Sequence, residues 1–155
     1  MPAQKLKRML DQRNIKYLSI NHSPAYTARE TAASTFVPRR EFAKTIIVDM
    51  DGEKVMAVLT ASRHVDLEAL RKLAGGKEAR LASEDEFEEL FPDCEIGAMP
   101  PFGSLYATRI FVDEMVTEVD DLCFNAGSHE QILRMDCSDY LNLEQPVVGP
   151  FAIEE

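Results

Sequence analysis

Lys44 opens an otherwise apolar, β-branched run, Lys44-Thr45-Ile46-Ile47-Val48. An isolated charge is costly to bury. Its ammonium therefore either meets water, where a lysine guards a sheet edge, or lines a cleft and binds a carbonyl or phosphate oxygen. Position alone does not decide between them. A second candidate is Gly97-Ala98-Met99-Pro100-Pro101-Phe102-Gly103. Two prolines remove amide donors and fix φ, while the glycines reach conformations closed to other residues, so this run cannot be regular structure. It is either a tight connection or a stiff bend presenting backbone groups to a small ligand. The third is Asn125-Ala126-Gly127-Ser128-His129, which serves equally as a hairpin turn or a ligand-facing one.

Other chemistries find little footing. There is no Gly-Xaa-Ser-Xaa-Gly elbow, phosphate-binding loop or dinucleotide fingerprint, and Ser104 and Ser128 have no motif that marks a nucleophile. The three cysteines, Cys94, Cys123 and Cys137, are widely spaced and read as small apolar side chains kept reduced. His22, His64 and His129 form no metal-binding spacing, so neither a metal nor another cofactor is expected.

The elements that must hold these residues follow from periodicity. Leu6, Met9, Leu10 and Arg13 recur at helical spacing over 2–14, and 16–20 alternates like a half-buried strand. Thr27 and Glu30 form a capping box for a short helix over 27–34. Two apolar runs, 44–50 and 55–59, flank Asp51-Gly52 and predict a hairpin. Asp66 caps a helix over 67–74 closed by Gly75-Gly76, a short strand follows at 79–81, and Ser83 with Glu86 opens another helix through Leu90. Strands at 105–112, 121–125 and 131–136 and a turn or short helix near 138–143 complete the chain. Consecutive strands outnumber helices, which favours α+β with a mixed, curled sheet over a doubly wound fold.

A length of 155 residues without repeat or linker fits one domain over 1–155. No apolar run approaches a membrane span, and the first residues do not resemble a secretory signal, so a cytoplasmic protein with no membrane partner is expected. The net charge of −10 hides a split. Residues 1–46 carry nine basic and three acidic side chains, a balance of +6, against 8 basic and 24 acidic in the remainder, a balance of −16. That asymmetry permits polyanion binding on a basic face and equally fits a merely solvated first helix.

Four stretches in order resemble the YbaK and prolyl-tRNA-synthetase-associated editing domain family. They are His22-Ser23-Pro24-Ala25-Tyr26-Thr27, Ala43-Lys44-Thr45-Ile46-Ile47-Val48, the Gly97–Gly103 run and Phe124-Asn125-Ala126-Gly127-Ser128-His129. The resemblance implies a six- or seven-stranded mixed sheet, partly closed like a barrel and flanked by helices. It implies hydrolysis of the ester joining a wrongly attached amino acid to the 3′ end of a tRNA, without metal or cofactor. Lys44 corresponds to the family's strand lysine, and Gly97, Ala98, Met99 and Pro101 belong to its Gly-x-x-x-Pro loop. His22, Tyr26, Thr45, Gly127, Ser128 and His129 are the residues expected around the amino acid and terminal ribose. Lys5, Arg8, Arg13, Arg39 and Arg40 are the expected tRNA contacts, and an aminoacyl-tRNA synthetase is a candidate partner. A small amino acid (alanine, serine, threonine or cysteine) is expected; which of them is removed, and the oligomeric state, stay open. The competing reading is a non-catalytic module of the same fold that binds aminoacyl-tRNA or a synthetase.

Overall fold

The computed structural model describes residues 2–21, 38–95 and 97–154. The expected helix over 27–34, with His22, Tyr26 and Thr27, lies outside these residues. In chain order the elements are α1 (Pro2–Gln12), β1 (Tyr17–Asn21), β2 (Phe42–Met50), β3 (Glu53–Thr60), β4 (Arg63–Val65), α2 (Leu67–Ala74), β5 (Ala79–Leu81) and α3 (Glu84–Leu90). β6 (Ile110–Asp113), β7 (Asp121–Asn125), β8 (Gln131–Asp136), α4 (Cys137–Glu144), β9 (Val147–Gly149) and β10 (Ala152–Glu154) follow.

A mixed sheet of eight strands runs in the order β1-β8-β7-β2-β3-β6-β9, with β5 joining the far end of β2. β4 and β10 make a separate antiparallel pair. The β7–β2, β3–β6 and β6–β9 contacts are parallel and the others antiparallel. This is the α+β architecture with helices flanking a mixed sheet, with one strand more than the expected six or seven.

Local chemistry accounts for the best-formed pieces. Asp66 accepts from the Ala69 amide at 3.1 Å to cap α2, and Gly75 closes that helix at φ +72. The capping box before α3 is reciprocal: the Ser83 amide donates to the Glu86 carboxylate at 3.2 Å, and the Glu86 amide donates to Ser83 Oγ at 3.4 Å. The expected strand over 105–112 is corrected. Gly103–Tyr106 forms a short 3-10 turn, Ala107 has a left-handed backbone at φ +52, and the strand begins only at Ile110.

Strand alternation splits the core between the two faces of the sheet. On one face Ala43, Ile47, Met56, Val58, Val112 and Phe124 pack with Leu6 and Leu10 of α1 and Tyr140 of α4. Leu6 and Leu10 are fully buried one helical turn apart, each removing an apolar side chain from water for about 1.5–3 kcal/mol. On the other face, Val48, Val55, Ala57, Leu59 and Phe111 pack against Leu70 of α2 and against Phe151.

Candidate active site

β2 parts from β7 in the middle of the sheet. Its pairing with β3 is continuous from Ala43↔Thr60 to Met50↔Glu53. On its other edge it pairs with β7 only at Phe42↔Cys123 and Ala43↔Phe124, and with β5 only from Val48↔Leu81 to Met50↔Ala79. Lys44, Thr45 and Ile46 fall in the interval between. Lys44 is thus the first residue past the point where two parallel strands separate, at the carboxyl end of β7, a position that in open sheets leaves a crevice. The ammonium-bearing side chain is half-buried. Alternation places it on the same face as Phe42, and the register puts Asn125 on that face too.

Beyond Asn125, β7 runs into the glycine turn, and the proline–glycine loop lies directly against that turn. The Glu95 amide donates to the Gly127 carbonyl at 2.8 Å, the Gly127 amide donates to the Ala98 carbonyl at 2.8 Å, and the His129 amide donates to Glu95 Oε2 at 3.0 Å. Gly97 and Gly127 take φ of +80 and +93, backbone that disfavours any side chain. A Cβ built on Gly97 would stand 3.6 Å from His129 Cε1, so the imidazole borders the loop's first residue. Two sequence motifs about thirty residues apart are one structural unit.

The far end of the loop is fixed by the core. The buried Tyr140 hydroxyl donates to the Pro101 carbonyl at 2.7 Å. Phe102 stands edge-on to Phe124 and to Tyr140, each at 5.3 Å between ring centroids. Ala98 is fully buried, and Met99 packs with Ala43, Ile47 and Ala126. The Ala98 amide donates to the Glu95 carbonyl at 3.0 Å, so it is engaged within the loop. The Met99 amide makes no backbone hydrogen bond among the described residues.

Buried polar atoms flank the parting of β2 and β7 on both faces of the sheet. Thr45 and Thr60 Oγ1 and Asn125 Oδ1 are buried without a hydrogen-bond partner among the described residues, at 7%, 4% and 4% residue exposure. Such a group costs about 1–3 kcal/mol until something satisfies it. Thr45 and Thr60 share the face of Ala43, whereas Asn125 shares that of Lys44.

The thiols lie outside this arrangement chemically. Burial pushes the Cys123 thiol up to about 11 and raises those of Cys94 and Cys137, which keeps all three protonated near neutral pH. All three are free.

Residues 22–143 match the family of aminoacyl-tRNA editing domains. The chain belongs to that family. This editing domain is 28% identical over 153 residues to a multifunctional Ser/Thr-tRNA deacylase ProXp-y of Escherichia coli K12, covering 96% of this chain and 91% of that one. It is 34% identical over 96 residues to a proline–tRNA ligase of Maridesulfovibrio salexigens, covering 61% of this chain and 16% of the ligase. A crystal structure of a proposed trans-editing enzyme for prolyl tRNA synthetase superposes with a TM-score of 0.82 at 21% identity, over 99% of this chain and 97% of the other.

Within the editing domain, the structure joins Gly97 and Ala98 to Gly127 and His129 and sets Lys44 and Thr45 on the neighbouring strand. The Ser128 hydroxyl accepts from the Glu130 amide at 3.1 Å within the same turn. The expected tRNA contacts are dispersed. Arg8 and Arg13 are exposed on and just after α1, and Arg39 and Arg40 are exposed before β2. Lys5 donates to the Leu105 carbonyl at 2.9 Å and lies 5.5 Å from the Tyr106 ring centroid, so its charge is held against the protein body. Arg40 borders a cavity shared with Arg134 and with Glu41, Glu118, Asp120 and Asp121, where carboxylates outnumber cations. Glu95 was not singled out from the sequence. Nothing in its local pattern signals the two contacts it makes across the fold.

Proposed function

We propose that this chain is a trans-acting deacylase that hydrolyses the ester of a mischarged tRNA, with serine and threonine the first amino acids to test. The observation that carries this reading is the bonded unit of proline–glycine loop and glycine turn at the carboxyl end of β7, with Lys44 on the adjacent strand where β2 parts from it. Membership of the editing family and similarity to a Ser/Thr-tRNA deacylase along nearly all of its length support it.

An aminoacyl ester is already activated, so the protein needs to orient it, admit a water and stabilise the developing oxyanion. Lys44 supplies positive charge, and the Met99 amide is a fixed donor on a loop held at both ends. His129 borders the position of the amino acid and terminal ribose. The substrate's own ribose hydroxyl serves in proton movement, which fits a site whose thiols stay protonated.

Small changes in an apolar wall shift selectivity by about 1–3 kcal/mol, whereas a hydroxyl-bonding group discriminates more sharply. The buried Thr45 hydroxyl, on the face against which Met99 packs, is a group of that kind on β2. Acceptor-stem phosphates meet Arg8, Arg13 and Arg39 on the exposed basic segments, with weaker parts for Lys5 and Arg40. The partial match to a proline–tRNA ligase supports a synthetase as partner. The reading is of one cytoplasmic editing domain, with His22 and Tyr26 kept as proposed substrate-binding residues.

A panel of tRNAs carrying serine, threonine, alanine, cysteine or proline tests the proposal. The enzyme releases amino acid from at least one mischarged member. A protein that shifts the tRNA in a binding assay yet releases nothing is the non-catalytic module instead.

A further inference from the structure

Glu95 precedes the loop by two residues and is exposed, yet both its backbone and its side chain are committed to the opposite motif. Its amide donates to the Gly127 carbonyl at 2.8 Å, and its carboxylate Oε2 accepts from the His129 amide at 3.0 Å. Its carbonyl accepts from the Ala98 amide at 3.0 Å, and the Ala98 carbonyl in turn accepts from the Gly127 amide at 2.8 Å. Of these links, only the carboxylate contact depends on the identity of the side chain. It is also the only one of them that reaches His129, whose ring borders Gly97.

We infer that Glu95 is a positioning residue that sets His129 and the glycine turn relative to the Gly97–Pro101 loop, so that the two halves of the site grip one ester. The inference rests on the deacylase reading above. Glu95 does not touch the reacting atoms; it acts through the backbone of His129. A carboxylate bonded to a main-chain amide is a charge-assisted contact that fixes the chain more firmly than a neutral one. Its loss leaves the rest of the fold intact, because the loop is still held at Pro101 by Tyr140 and at Phe102 by packing on Phe124. The effect is therefore confined to alignment. Misplacement of about 1 Å at a reacting centre costs on the order of 100-fold in rate. Contacts to the remote body of the tRNA are unaffected, so the loss falls on kcat rather than KM.

The experiment is steady-state deacylation by Glu95→Ala, Glu95→Gln and Lys44→Ala, with thermal melts of each. Glu95→Ala is expected to lower kcat about 10- to 100-fold with KM for tRNA moving less than about threefold. Glu95→Gln, whose amide oxygen still accepts from the His129 amide, recovers most of that loss, and both variants melt within about 2–4 °C of wild type. Full activity in Lys44→Ala would mean that the site itself is wrongly placed. An inactive Lys44→Ala beside a fully active Glu95→Ala would overturn the positioning role alone. So would a Glu95→Gln as impaired as the alanine variant, or a loss expressed mainly in KM.

Discussion

Two kinds of side chain matter at the scale of single residues, those that meet the ester and those that hold them. Lys44 belongs to the first. Its strand is anchored by continuous pairing with β3, so removal of the ammonium changes charge in the site more than it changes the fold. Losing an oxyanion partner costs roughly 3–4 kcal/mol in the transition state, about 100- to 1,000-fold in rate. Tyr140 belongs to the second. Tyr140→Phe leaves the Pro101 carbonyl without its donor in the core, and the expected destabilisation is about 1–3 kcal/mol. Chemical denaturation measures it, and an unchanged midpoint would show that the hydroxyl does not restrain the loop.

Between elements, a charged cluster ties the β2–β3 hairpin to β5 and α3. Asp49 accepts from Lys54 at 2.8 Å and from Arg80 at 2.9 Å, and Glu86 pairs with the same two cations at 2.9 Å each. Bonds from Arg80, Lys54 and Ser83 hold the Glu86 carboxyl far below the usual carboxylate range, and Lys54 does the same, less strongly, for Asp49. A carboxyl group depressed on folding contributes stability above its unfolded value, and that contribution is lost as pH falls toward its folded value. Melting temperature is therefore expected to drop as pH falls below about 4, the ordinary carboxylate value, and Glu86→Gln to flatten that drop. Parallel curves for the two proteins would exclude the cluster as the cause.

Legibility from sequence divides at this same scale. The Asp51-Gly52 hairpin and the Asp66 and Ser83 caps were plain because each is decided by residues a few positions apart. β4, β9 and β10 are three residues each, and partners far along the chain decide them, as when Val147 pairs with Phe111. Tyr106 and Leu105 look strand-like, but the left-handed Ala107 ends that segment. In the site, the loop and the turn were each recognisable as motifs. Their hydrogen-bonded union through Glu95, and the parting of β2 beside Lys44, are tertiary facts that no local pattern encodes.

The whole molecule carries −10 yet is read as an RNA-directed enzyme. Its basic residues are concentrated before residue 46, and the exposed Arg8 and Arg13 lie on one stretch of the surface helix and its end. Phosphate contacts make affinity fall with salt. Replacing both arginines by alanine is expected to raise the Kd for tRNA and to reduce the salt slope by about 1 per contact removed. Filter binding across a salt series reads both, and an unaltered slope would move the tRNA to another face.

The central claim is that Lys44, beside the loop–turn unit, makes this protein a deacylase. The most direct test is the rate of amino-acid release from seryl- or threonyl-tRNA by wild type and by Lys44→Ala under single-turnover conditions, with thermal melts confirming that both are folded. The expected result is rapid release by the wild type and release about 100- to 1,000-fold slower by the variant. Equal release by the two folded proteins would contradict it.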